Sequence, residues 1–203
     1  GDYRKVFLTK REQERGISSG SDACVIETEA GRIGGAICYD LNFSELQNRY
    51  SEKKPDIISF SSMFHGGIRQ KEWALHCGCY FLASCKDISS TIINPLGKVI
   101  ATTDFYTLVA RTRINLDFFV FHQNQGSRNQ KTNIEKIPEI YRKYKNNVRI
   151  ENDPALGLGI LYSETKECSA SEIASEFGIS SAHDTFAEAR VQNPALPKNG
   201  KFF

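Results

Sequence analysis

The chain has 203 residues, 40% of them hydrophobic, which is enough for one domain with a sizeable core. Its 26 basic and 24 acidic residues give a net charge of +2, so charge provides no reason to expect nucleic acid or an anionic membrane as a partner. No apolar run approaches the roughly 20 residues that a membrane helix needs, and no signal peptide is recognisable. The six cysteines are dispersed, which favours free thiols in a reducing, cytoplasmic setting.

Predicted strands and helices alternate along the first half of the chain. In chain order, the pattern predicts a strand over 22–28, a buried strand over 33–39, a helix from Asn42 or Ser44 to about Glu52, a strand over 57–60 and a helix over 69–77. Strands over 80–84, 89–93, 98–102 and 106–114 follow, with a Pro-Gly turn at 94–97. This alternation favours an α/β layer architecture.

The composition changes near residue 120. A polar loop is expected over 122–132, a basic helix over 134–144, and helices over 169–177 and 185–191, before a Pro- and Gly-punctuated tail over 193–203. We therefore predict one α/β domain over residues 1–145 and a partly helical C-terminal extension over 146–203.

Cys38 stands at the carboxyl end of the buried strand predicted over 33–39. Folds of the α/β class place reacting groups at this edge of the sheet, where backbone N–H groups of the following turn can stabilise an oxyanion. Free cysteines are nevertheless often buried and inert. The position alone therefore leaves both a nucleophile and a structural thiol open.

The residues around Cys38 carry a family resemblance. Residues 31–45, Gly-Arg-Ile-Gly-Gly-Ala-Ile-Cys-Tyr-Asp-Leu-Asn-Phe-Ser-Glu, resemble the nucleophile segment of the nitrilase, or carbon–nitrogen hydrolase, superfamily, and only Ser44 departs from the usual proline. Four further segments resemble family segments in the same order, at 3–9, 90–101, 114–117 and 138–141. The resemblance implies an α-β-β-α sandwich, a homodimer paired through helices, and catalysis without a cofactor.

The resemblance also implies roles for single residues. Cys38 would attack an amide carbon and form a thioester that water hydrolyses. Lys5, in the segment Tyr3–Thr9 (the lysine segment), matches the family lysine that stabilises the oxyanion, with Lys10 as its nearest competitor. A second glutamate that orients the site matches Glu12, with Glu14 as the alternative.

Two residues are expected to contact the substrate. They are Tyr39, next to Cys38, and His65, in a loop where the family commonly lines its pocket. The segment 73–81 departs from the better-known amidase branches, so no substrate preference carries over. The expected activity is hydrolysis of a non-peptide C–N bond in a small amide or carbamoyl compound, with an amide favoured over a nitrile.

The start of the chain departs from the family pattern. The family's general-base glutamate lies well before the lysine, and no residue here matches it; Asp2 stands too near the first residue to be assigned. The chain thus resembles a nitrilase domain without its N-terminal part. One alternative is therefore a catalytically impaired nitrilase-like protein. Another is an amide-dependent acyltransferase, because the same thioester could pass its acyl group to an amine rather than to water.

Two other motifs point elsewhere and are set aside. His76-Cys77-Gly78-Cys79 lacks the ligand spacing of a zinc site, so we predict no metal. Residues 169–180 resemble the first helix and turn of a helix-turn-helix, but the residues that follow are acidic, which argues against DNA binding.

Overall fold

The computed structural model describes residues 1–86, 89–126 and 130–192, so the tail predicted over 193–203 lies outside the described residues. The chain divides into two compact units, unit 1 (Gly1–Leu116) and unit 2 (Asp117–Phe203). The domain limits expected from the sequence, 1–145 and 146–203, stay a prediction.

Unit 1 is built on one six-stranded sheet with the strand order β1-β2-β3-β4-β5-β6. Its strands are β1 (Val25–Thr28), β2 (Gly31–Ile37), β3 (Ile57–Ser62), β4 (Tyr80–Cys85), β5 (Thr91–Ile93) and β6 (Val99–Thr102). Its helices are α1 (Lys10–Glu14), α2 (Ser44–Lys53) and α3 (Ile68–Cys77). The α/β class predicted from the sequence is confirmed.

The middle of this sheet is parallel. β2 pairs with β3 and β3 with β4 in the same direction, while β1, β5 and β6 are antiparallel to their neighbours. Helices α2 and α3 form the crossovers between the parallel strands, as parallel pairing requires. The carboxyl ends of β2, β3 and β4 therefore meet at one edge, which is where α/β proteins build sites.

An aromatic core joins this sheet to its helices. Trp73 of α3 lies 6.2 Å from both Tyr50 of α2 and Phe81 of β4, measured between ring centroids, and Phe60 lies 5.5 Å from Phe81. All four side chains are buried. The Trp73 indole N–H donates to the Leu41 carbonyl at 3.1 Å, so the core also holds the turn that follows β2.

Tyr50 ends the pairing between β1 and β2. The ladder stops at Val25 opposite Gly34, and the Tyr50 hydroxyl takes the next position. It accepts from the N–H groups of Cys24 and Gly35, both at 3.2 Å, and donates to the Gly35 carbonyl at 2.5 Å. Burial raises the pKa of Tyr50 to about 12, so the hydroxyl keeps the proton that it donates.

The strand predicted over 106–114 is wrong. No described residue pairs with this segment in a sheet. Tyr106, Leu108 and Val109 project into solvent and are 92%, 81% and 73% exposed. Alternating apolar residues suit a strand, but a strand also needs a neighbouring chain to satisfy its backbone. The strand predicted over 33–39 also ends earlier, at Ile37, because a 3₁₀ turn begins at Cys38.

Unit 2 contains a three-stranded antiparallel sheet with the order β7-β9-β8. Its elements are β7 (Phe118–His122), α4 (Asn133–Tyr144), β8 (Val148–Asp153), β9 (Leu158–Ser163), α5 (Ala170–Glu176) and α6 (Ala182–Gln192). The three helices predicted in this region are confirmed, whereas the three strands were missed. No helix among the described residues is long and apolar enough to cross a bilayer.

We predict that Tyr50→Phe lowers the free energy of unfolding by about 1–3 kcal/mol, because buried backbone groups lose their partner. Urea unfolding followed by the fluorescence of Trp73, the single tryptophan, measures this change. Tyr106→Phe is the matched control at an exposed position and should shift the free energy by less than about 0.5 kcal/mol. Equal urea midpoints for the two variants would show that the Tyr50 hydroxyl does not stabilise the end of the β1–β2 pairing.

Candidate active site

Cys38 begins a 3₁₀ turn, Cys38–Asn42 (the cysteine turn), directly after β2. Its φ of 51° lies in the left-handed region, which non-glycine residues rarely adopt unless the surrounding structure imposes it. The side chain is partly exposed at the sheet edge where β3 and β4 also end. This sharp change of direction turns the thiol out of the strand, a detail that the sequence pattern did not predict.

Asp40 lies within the cysteine turn and is fully buried. Its Oδ1 accepts from the backbone N–H groups of Val6 at 3.1 Å and Phe7 at 2.7 Å. Its Oδ2 accepts from the Ile37 N–H at 3.0 Å and from the Tyr3 hydroxyl at 2.8 Å. A single carboxylate therefore joins the lysine segment to the cysteine turn.

Two glycines allow the lysine segment to lie this close. A Cβ added at Gly35 of β2 would lie 2.7 Å from the Tyr3 ring, and one added at Gly20 would lie 2.3 Å from the Arg4 carbonyl oxygen. The Gly20 N–H also donates to the Lys5 carbonyl at 2.7 Å. Burial and the neighbouring Asp40 carboxylate raise the pKa of Tyr3, which keeps its hydroxyl a neutral donor.

Lys5 forms a close ion pair with Glu12. Its Nζ lies 2.7 Å from both carboxylate oxygens, and the Lys5 side chain is only 10% exposed. Glu12 is placed by a capping box at the start of α1, in which the Thr9 N–H and hydroxyl donate to Oε2 at 2.7 and 2.9 Å. The Lys5 ammonium, followed by the Thr9 N–H, lowers the pKa of Glu12 to about 2. Glu12 therefore remains ionised and fixes the ammonium in place.

The competing residues lie at the surface. Lys10 and Glu14 approach each other to 3.9 Å with side chains 90% and 64% exposed. Asp2 pairs with Arg4 at 3.4 Å, and both side chains are exposed. Lys5 and Glu12 thus form the closer and more buried of the two candidate pairs, and their roles in catalysis stay a prediction.

Aromatic rings flank the cysteine turn. Tyr39 is partly exposed and meets Phe43 edge-on, with ring centroids 5.2 Å apart. Phe43 in turn stacks on Phe7 of the lysine segment at 3.7 Å. These rings add an apolar contact between the two segments. The substrate contact expected of Tyr39 stays a prediction.

His65 lies in the loop that follows β3, at the same edge of the sheet. Its Nδ1 accepts from the Gly67 N–H at 3.1 Å, so this ring nitrogen is used within the loop. A Cβ added at Gly66 would lie 2.2 Å from the Leu41 side chain, which shows how closely the loop packs on the cysteine turn. The substrate contact expected of His65 stays a prediction.

The six cysteines are all free thiols. Cys77 and Cys79 are buried. Cys85, which the sequence analysis did not single out, ends β4 at the site edge, and burial raises its pKa. Within the described part of the chain, no group of three or more His, Cys, Asp or Glu side chains is arranged to hold a metal ion.

Asp40 and Tyr3 are the site residues that sequence reasoning missed. Both stand inside the segments that carried the family resemblance, at 31–45 and 3–9. A motif shows that a carboxylate is present at a position. It does not show that the carboxylate is buried or which donors it binds.

The carbon-nitrogen hydrolase family model matches residues 1–118, which is more than half of the chain. The chain therefore belongs to the carbon–nitrogen hydrolase family of the nitrilase superfamily, as its motifs predicted.

Curated relatives include amidases. The chain is 24% identical to the chloroplastic omega-amidase of Arabidopsis thaliana over 132 residues, covering 57% of this chain and 35% of that protein. It is 26% identical to the deaminated glutathione amidase of Dictyostelium discoideum over 176 residues, covering 73% and 57% respectively. The chain thus spans about a third to somewhat over half of the length of these relatives.

Solved structures of the superfamily are also similar. Nit3 of Saccharomyces cerevisiae aligns with 24% identity and a TM-score of 0.44, covering 50% of this chain and 43% of that one. An amidase from Nesterenkonia sp. aligns with 17% identity and a TM-score of 0.46, covering 54% and 46% respectively.

We predict that the Glu12 carboxyl stays ionised at about pH 4, below the ordinary glutamate pKa of about 4.3. Because its folded pKa is lowered, the ion pair contributes stability above that ordinary value and loses it as the pH falls toward about 2. Carbon-13 NMR of the glutamate carboxyl groups measures the protonated fraction. Lys5→Met should raise the Glu12 midpoint, and Lys10→Met is the matched control that should leave it unchanged. An equal midpoint in wild type and Lys5→Met would contradict the ion pair.

Proposed function

We propose that this chain carries the nucleophile, the lysine and the orienting glutamate of an amidase that cleaves a non-peptide C–N bond in a small amide or carbamoyl compound. The main support is the ion pair of Lys5 and Glu12, because a nearly buried ammonium on a segment tied to the cysteine turn suits an oxyanion partner. Most lysines instead keep the ammonium in water.

In the proposed reaction, the Cys38 sulfur attacks the amide carbon and forms a C–S bond. The electron pair of the C=O double bond moves to oxygen, and the Lys5 ammonium stabilises this oxyanion. When the oxyanion re-forms the C=O bond, the C–N bond breaks and the amine leaves with the proton that the thiol has given up. Water then attacks the thioester, and the acid and the free thiol are released.

This cycle needs a base that takes the thiol proton and later a proton from water. No residue of the chain matches the family glutamate that does this, and Asp2 is engaged with Arg4 at the surface. We therefore assign the nucleophile to Cys38, the oxyanion contact to Lys5 and the orienting role to Glu12, and we assign no base.

The substrate class is proposed from the relatives and the site. The relatives are named as amidases, which supports an amide over a nitrile. Tyr39 and His65 are proposed to contact the substrate from the turn and the loop at the carboxyl ends of β2 and β3. We further propose a cytoplasmic homodimer without a cofactor; six free thiols fit the reducing compartment.

We predict that Cys38→Ala abolishes ammonia release from small primary amides, because no thioester can form. Cys168→Ala, which removes a thiol in unit 2, is the matched control and should keep wild-type turnover. Lys5→Met should lower kcat/KM by about 100-fold or more, as removal of an oxyanion donor does. Turnover that survives in Cys38→Ala would refute the nucleophile assignment.

The same assay separates the alternatives. Ammonia release that requires an added amine acceptor would favour an acyltransferase, because the acyl group then passes to the amine. No release from any amide, with or without an acceptor, would favour a catalytically impaired protein.

A further inference from the structure

We propose that Asp40 is a positioning residue that holds the Lys5 ammonium in register with the Cys38 thiol. This inference rests on the proposed function, in which these two groups act on the same substrate atom pair.

The first observation is the set of partners of Asp40. The carboxylate is fully buried, and its four donors are three backbone N–H groups and one phenol. A buried carboxylate is tolerated only when hydrogen bonds replace its hydration. The fold therefore has a strong energetic reason to keep these four donors converged on one point.

The second observation is where the donors lie along the chain. Tyr3 comes two residues before Lys5, and Val6 and Phe7 are the two residues directly after it. On the other side, Ile37 directly precedes Cys38, and Asp40 itself follows it by two residues. The residues that bind this one carboxylate thus flank both Lys5 and Cys38 in the sequence.

The remaining polar anchors of Lys5 act within the first twenty residues. Glu12 holds its ammonium and Gly20 holds its carbonyl. These contacts shape the lysine segment but do not set its register against β2. The contacts that bear on this register include the hydrogen bonds of Asp40 and the apolar packing of Tyr3, Val6 and Phe7 against the core of unit 1. Hydrogen bonds to a carboxylate are short and directional, whereas ring packing tolerates sliding.

Asp40→Asn tests this arrangement with almost no change in shape. The amide NH₂ must replace one oxygen. It then faces either the Val6 and Phe7 N–H groups at the Oδ1 position or the Ile37 N–H group and the Tyr3 hydroxyl at the Oδ2 position. In either orientation a backbone N–H group meets another donor and loses its hydrogen bond. Because a nearby ammonium makes a thiol more reactive, displacing the Lys5 ammonium should slow the alkylation of Cys38 by iodoacetamide by about tenfold.

The experiment is a double-mutant cycle on the full chain, with wild type, Asp40→Asn, Lys5→Met and the double variant. Alkylation rates of every cysteine are read by peptide mass spectrometry at one fixed pH near neutrality. Two cysteines serve as internal controls: Cys168 in unit 2 as the rate reference, and buried Cys79 as the reporter of unfolding.

If Asp40 positions Lys5, the effects of Asp40→Asn and Lys5→Met on the alkylation rate of Cys38 will not add. Lys5→Met slows Cys38 in the wild type but not in Asp40→Asn. Cys168 keeps its rate and Cys79 stays unreactive. Equal slowing by Lys5→Met in both backgrounds would overturn the inference, and so would a wild-type rate that does not depend on Lys5.

If Cys79 becomes reactive in Asp40→Asn, that variant has begun to unfold, and Tyr3→Phe replaces it in the experiment. Tyr3→Phe removes one hydrogen-bond donor to Asp40 and no charge. It should slow Cys38 by a smaller factor with Cys79 still protected, and an unchanged Cys38 rate would overturn the inference. Alkylation needs no turnover. Absence of ammonia release would therefore remove the amidase proposal while the cycle still reports whether Asp40 couples Lys5 to Cys38.

Discussion

A carboxylate without water must be surrounded by donors, and the site of this protein is organised by that requirement at Asp40. Three of its four donors belong to the lysine segment, and the fourth is the last residue of β2. These donors converge only if the lysine segment lies across the end of β2. The close approach of Tyr3 to Gly35 and the stacking of Phe7 on Phe43 then follow from the same placement.

The sheet supplies the second part of the arrangement. Parallel pairing of β2, β3 and β4 brings the carboxyl ends of these strands to one edge of the sheet. Residues that are far apart in sequence therefore lie at the same edge, namely Cys38, His65 and Cys85. The aromatic core beneath this edge reaches the cysteine turn through Trp73. Stability of the core and geometry of the turn are therefore linked, and Cys38 can keep a left-handed backbone.

Sequence patterns predicted most elements of unit 1 because buried strands and amphipathic helices leave local signals. They failed where an element depends on a partner. Residues 106–114 alternate like a strand but have no ladder partner among the described residues. In unit 2, β8 and β9 form a hairpin. Its turn is stabilised by the Asp153 side chain, which accepts from the Ala155 and Leu156 N–H groups. An aspartate of this kind is a turn signal, but the sequence analysis did not recognise it.

For the site, the sequence by itself determined the family, the nucleophile candidate Cys38 and the matching lysine, because these depend on which residue types stand in which order. It left Glu12 and Glu14 open, and it did not reveal Asp40. Only the tertiary structure decided that Glu12 pairs with Lys5 while Glu14 stays at the surface, and that Asp40 joins two segments more than thirty residues apart. The physical reason is that burial and hydrogen-bond partners arise from chain crossings, which no local pattern of residues records.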